Sequence, residues 1–164
     1  MNTRTDHSGR RAARLAAVQA IYQMELTGAG AGEVAEEFVA HRFGSEAEIA
    51  PAGEPDEEFF TAIVNGVPHH QAEIDRAISK SLAENWKLQR IDSILRAILR
   101  AACFELIARR DVPGRVAIDE YVELAHAFFS GDEPAFVNAV LDKLARRKRA
   151  EEFGETPPDD ELQF

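Results

Sequence analysis

The sequence predicts an all-α protein, a bundle of six to seven helices, on three observations. Apolar residues recur at three- and four-residue spacing through nearly every segment, no useful length alternates apolar with polar, and Pro and Gly gather between the periodic runs. A chain of 164 residues can bury a real core, as one domain or two small helical lobes.

The first helix is read in "GRRAARLAAVQAIYQMEL", residues 9–26, with Leu15, Val18, Ile21 and Tyr22 as its apolar stripe, after a flexible leader at residues 1–9. "TGAGAGE" is a connector and Glu33 to Phe43 a short helix; "GSEAEIAPAGEP" is a loop ending at a Pro and acids that suit a helix start. A third helix spans about Asp56 to Ser81 on Phe59, Phe60, Ile63, Val67, Ile74 and Ile78, and Pro68 should kink or divide it. The chain turns around Trp86, and Ile91, Ile94, Leu95, Ile98, Leu99 and Ala102 mark a fourth helix that stops near "RRDVPG". Arg109 and Arg110 there favour the negative end of the helix dipole and need no functional reading. A fifth helix covers Val116 to Phe129. The last opens with Asp132 as candidate N-cap and Pro134 in its first turn, and its apolar stripe is Phe136, Val137, Val140, Leu141 and Leu144. The helical domain thus covers residues 10–149, and residues 150–164 form an acidic tail too polar to order itself.

The net charge of −10 argues against a polyanion partner until its distribution is considered. Arg4, Arg10, Arg11 and Arg14 crowd one end, and Lys143, Arg146, Arg147, Lys148 and Arg149 another, while acids fill residues 46–58 and the tail. A segregated basic patch can hold a polyanion on an acidic chain. No apolar run approaches the roughly 20 residues of a membrane helix and no apolar signal segment opens the chain, so the expected location is cytoplasmic. The lone Cys103 lies in an apolar stretch and reads as core.

Enzymatic signatures are missing. "GAGAG" at residues 28–32 follows a helix rather than a strand, so it is a linker and not a dinucleotide loop. Glu123 and His126 make a single Glu-x-x-His pair where a carboxylate-bridged metal site needs two, and His69 and His70 point to different helix faces. No nucleophile elbow, Walker loop or kinase motif occurs, and neither a cofactor nor a metal is expected.

Binding remains. Arg10, Arg11 and Arg14 at a helix head are opposed by the macrodipole, and Arg10 repels Arg14 at i, i+4. A forked guanidinium matches phosphate oxygens and stacks on bases, so a single-stranded polyanion would turn that position to advantage. Phe136, near the start of the last helix, suits either base stacking or the buried stripe.

"RRAARLAAVQAIYQ", "ILRAILRAACFEL", "VPGRVAIDEYVELA" and "FVNAVLDKLA" together resemble the family of the transcription antitermination factor NusB, in order and spacing, from about Arg10 to Arg147. The resemblance implies two small three-helix lobes and no catalysis. It implies binding of boxA in nascent ribosomal RNA together with the small-subunit ribosomal protein NusE, within an RNA polymerase antitermination complex. Its RNA-contacting residues fall on Arg10, Arg11, Arg14 and Phe136, with Asp132 close by. Tyr22 and Arg96 fall where the ribosomal protein docks. Ala12 and Ala13 stand where relatives often carry more basic residues, and Leu95 where an acidic partner contact would be expected. Two other functions compete: an RNA-binding module like those fused to ribosomal RNA methyltransferases, which the chain ending at Phe164 leaves no room for, and a helical interaction protein that binds no RNA. A homodimer masking the arginines is a further alternative left open.

Overall fold

The computed structural model describes residues 3–41, 43 and 55–157, with side chains from Ser8 onward. These residues form seven α-helices and no strand: α1 (Thr3–Thr27), α2 (Ala31–His41), α3 (Glu57–His69), α4 (Gln71–Ser81), α5 (Ser93–Ala108), α6 (Gly114–Phe128) and α7 (Glu133–Lys148). Two 3-10 turns, Leu88–Arg90 and Ala150–Phe153, accompany them. The chain divides into two compact units, residues 1–69 and 70–164. The first holds three helices; the second holds four rather than three, because the helix expected from Asp56 to Ser81 is divided at His70, just past Pro68. Most of the expected loop, residues 44–54, lies outside the described residues.

In the N-terminal unit α1 packs on α2 and α3, and α2 on α3. Ala12, Ala13, Ala16, Ala17 and Ala20 of α1 are buried, as are Phe59, Phe60, Ile63 and Val64 of α3, so small side chains on one helix leave room for large ones on the other. Phe60 stacks on Phe38 at 5.6 Å and meets Phe43 edge-on at 4.8 Å. Asp56 caps α3 by accepting the Phe59 N–H at 3.0 Å, and its own N–H donates to the Gly9 carbonyl of α1 at 2.9 Å. Helix α1 starts at Thr3, so the expected flexible leader is helical from there on.

In the C-terminal unit α5 is the central helix and packs on α4, α6 and α7. Asp92 caps it, its carboxylate accepting the N–H groups of Ile94 at 2.9 Å and Leu95 at 3.3 Å. From Leu95 to Leu106 every residue but Arg100 is buried, each large apolar side chain contributing roughly 1.5–3 kcal/mol. Arg100 instead binds both oxygens of Asp75 on α4, at 3.0 and 3.1 Å. Cys103 is fully buried, its thiol directed at the Ile74 carbonyl 3.9 Å away, and burial pushes its pKa up. A disulfide reagent is therefore expected to leave Cys103 unlabelled in the folded chain and label it on denaturation. Prompt labelling of the folded protein would contradict this packing.

The segment from residue 150, expected to be a disordered tail, is instead folded as far as Gly154, whose φ of 69° closes the last 3-10 turn. Its organiser is Arg149, which no solvent reaches. That guanidinium donates to the carbonyls of Glu105 at 3.0 Å, Leu106 and Arg109 at 2.9 Å, and to that of Val112. Glu152 meets its charge at 3.2 Å. A side chain from the end of α7 thus adds donors to carbonyls in the last turn of α5 and just beyond it, where those of Glu105 and Arg109 also accept the backbone N–H groups of Arg109 and Val112. The rest of the expected tail, residues 158–164, lies outside the described residues.

Candidate nucleic-acid interface

Because α1 begins at Thr3, Arg10, Arg11 and Arg14 stand about two to three turns inside the helix rather than at its head. The dipole acts mainly within the first turn, so the expected penalty is largely absent. The repulsion between Arg10 and Arg14 is offset by a shared aromatic surface, since their guanidinium carbons lie 4.6 and 5.0 Å from the centre of the buried Phe59 ring. The three arginines differ in access: Arg11 is exposed, Arg10 half-buried, and Arg14 only 4% exposed. Ala12 and Ala13 are fully buried. Basic side chains there would have to enter the core, so these two positions belong to packing in this chain.

The remaining residues expected at the interface with RNA belong to the C-terminal unit. Asp132 occupies the N-cap position of α7 in an α-helical backbone conformation, and its side chain makes no capping hydrogen bond, unlike the expected cap. Phe136, one turn on, is half-buried, which joins the two readings of this residue: one part of the ring packs and one part meets solvent. Against it lies Trp86, ring centres 5.5 Å apart at 43°, in the segment between α4 and the Leu88–Arg90 turn.

Arg96 of α5 is buried and turned to its own chain, its guanidinium donating to the carbonyls of Leu88 at 3.1 Å, Gln89 at 3.4 Å and Ile91 at 2.8 Å. Burial, and after it the charge of Arg100, lowers its pKa. Replacing Arg96 with methionine is expected to destabilise the unit by about 2–3 kcal/mol through loss of the donor that the Leu88, Gln89 and Ile91 carbonyls share, and to expose residues 83–91 to protease. An unchanged denaturant midpoint would refute that role. Leu95, beside it, is core. Tyr22, on the C-terminal half of α1, is half-buried.

The second basic run is partly consumed internally. Arg146 binds Asp142 at 2.9 Å and Glu155 at 2.5 Å, which hold its pKa above the usual value, with the Asp142 hydrogen bond the larger cause. It also lies over Phe153, at 5.1 Å, as Arg115 does at 4.9 Å. Arg149 is buried, and Arg110 binds Glu151 at 3.0 Å. The sequence reads as a basic patch here; the fold pairs Arg146 and Arg149 of the run with acids and leaves Lys143 exposed. Trp86 and Phe59 carry no functional reading in the sequence, and Arg149 is read there only as one of the basic run, although a lone tryptophan between Asn85 and Lys87, outside any apolar stripe, is a signal of exposure. Among the described residues no three His, Cys, Asp or Glu side chains gather as a metal site would require. No helix among them is long and apolar enough to cross a membrane.

Comparison with known proteins adds a consistent set of relatives. A family model described as the NusB family matches residues 11–146. The chain is 54% identical over 144 residues to a transcription antitermination protein NusB of Maricaulis maris, covering 88% of this chain and 90% of that protein. It is 51% identical over 142 residues to one from Rhizobium rhizogenes, covering 87% and 89%. Among solved structures, T. maritima NusB superposes with a TM-score of 0.69 at 29% identity, covering 94% of this chain and 97% of that one. A chain of a crystal structure of the antitermination factors NusB and NusE in complex with double-stranded RNA gives 0.68 at 28% identity, covering 84% of this chain and 96% of that one.

Proposed function

We infer the function from one premise: the chain belongs to the NusB family. It is an RNA-binding transcription antitermination factor that works with the ribosomal protein NusE. The observation that carries this reading is the match along residues 11–146, joined to a structural neighbour that holds NusE and RNA together. The RNA is read as a boxA-type single strand of a nascent ribosomal transcript, which places the protein in the cytoplasm, acting by binding and without catalysis.

Within that function, Arg11 and Arg10 are the phosphate contacts, the first exposed and the second half-buried. Arg14 is their positioning residue, holding the arginine face against Phe59. Asp132, an acceptor whose carboxylate is not spent on the helix cap, suits the amino group of a base better than a phosphate. Tyr22 faces NusE, and Arg96 serves that partner indirectly, by fixing the Leu88–Ile91 turn.

Affinity for a boxA-type single strand, measured with and without NusE, tests the reading. The expected result is specific binding that tightens when NusE is present. Binding of NusE with no RNA affinity in either condition would leave only a helical interaction module.

A further inference from the structure

We propose that Trp86 is an RNA-stacking residue, forming with Phe136 a two-ring platform on which an unpaired base rests. The proposal rests on the RNA-binding reading above and adds a residue and a mode of contact to it. Three observations carry it.

Trp86 is 49% exposed, although indole is among the most rewarding side chains to bury, and the core of its own unit lies beside it. Its position is enforced by its neighbours. Leu82 and Leu88 on either side are buried, and the Trp86 N–H donates to the Ala83 carbonyl at 2.9 Å, closing a tight turn. Arg96 then clamps the carbonyls of Leu88, Gln89 and Ile91 just beyond it. A segment anchored at both ends presents its indole to solvent from a fixed backbone, and preorganisation of that kind lowers the entropy lost on binding.

The second observation is the partner ring. Phe136 supports Trp86 on one side at 5.5 Å, so the indole is held from behind while half its surface stays in water. The third is the company it keeps. Lys87 and Arg90 are exposed in the same segment, so cations for backbone phosphates accompany a flat apolar face for bases, the pairing that single-strand binding uses. A protein partner seeking an apolar anchor would find one large exposed ring among charged and polar neighbours, a poorer match than a base.

Trp86 is the single tryptophan of the chain, so intrinsic fluorescence reports on this residue alone. Titration of the full chain with a boxA-type single strand is expected to quench that emission, whereas an abasic strand of equal length binds without quenching it. W86A is expected to weaken binding about tenfold to a hundredfold, the effect of one stacked base, with an unchanged salt slope because no ion pair is lost. W86F, which keeps a ring on Phe136, should recover most of the affinity. If the wild type binds the strand while its emission stays constant and W86A binds equally well, the stacking role is wrong and the RNA-binding reading stands. If the wild type binds no RNA at all, both fall. Circular dichroism of W86A separates a lost contact from a lost fold, and W86F with full fold and W86A-like affinity would also overturn the proposal.

Discussion

Arg149→Met is expected to lower the unfolding free energy by about 3–5 kcal/mol, read as a shift of the denaturant midpoint. The guanidinium is fully buried and joins four backbone carbonyls to the Glu152 carboxylate. Methionine fills much of the volume but donates nothing, so the carbonyls of Glu105, Leu106, Arg109 and Val112 lose the donor they share. Arg149→Lys should fall between wild type and Met. An ammonium keeps the charge, but its donors radiate from one point and cannot span four acceptors as the planar fork does. A midpoint for Arg149→Met equal to that of the wild type would show that water replaces the lost donors without penalty.

The joint change Arg10→Ala and Arg11→Ala is expected to reduce affinity for a boxA-type strand on the order of a hundredfold at low salt. It should also flatten the dependence of log affinity on log salt by about 1.4, since each phosphate contact on a single strand contributes about 0.7. Arg14→Ala makes the opposite expectation. That residue is 4% exposed and rests on Phe59, so its loss should destabilise the N-terminal unit by about 1–2 kcal/mol through lost cation–π contact and packing. Its salt slope should stay near that of the wild type. A slope change for Arg14→Ala as large as that for Arg11→Ala would remove the distinction between contact and positioning residue. Binding isotherms at four salt concentrations, beside thermal unfolding of each variant, measure both quantities.

Helical periodicity is a local property, and it marked helices that the structure contains with ends a few residues away. The short second helix ends at His41 rather than Phe43, and the fifth opens at Gly114 rather than Val116. The start of α1 was missed by more, because "TRTDHSG" carries no apolar stripe to announce a helix there. With the helix taken to start near Gly9, Arg10, Arg11 and Arg14 fall at its positive end; with the start at Thr3 they do not. The order of residues 150–154 is hidden in the sequence for a related reason. "AEEFGE" is polar in composition, yet each acid meets an arginine in the fold: Glu151 meets Arg110, Glu152 meets Arg149 and Glu155 meets Arg146.

The helical class, the order of the elements, most apolar faces and the family likeness of four segments are legible in the letters, although on α1 the buried face is chiefly alanine and Leu15 and Tyr22 of the expected stripe are half-buried. All of these are written in spacing along one helix or one segment, where a residue's neighbours are known from its number. Only the tertiary structure decided which charges face water. Arg11 and Arg149 are indistinguishable as letters in a basic run, yet one is exposed and the other lies in the interior. A charge enters the core only where distant backbone supplies enough acceptors, and the carbonyls around Arg149 come from residues 37 to 44 positions away. Trp86 shows the converse: a large apolar ring remains in solvent because the chain on both sides of it is tied down.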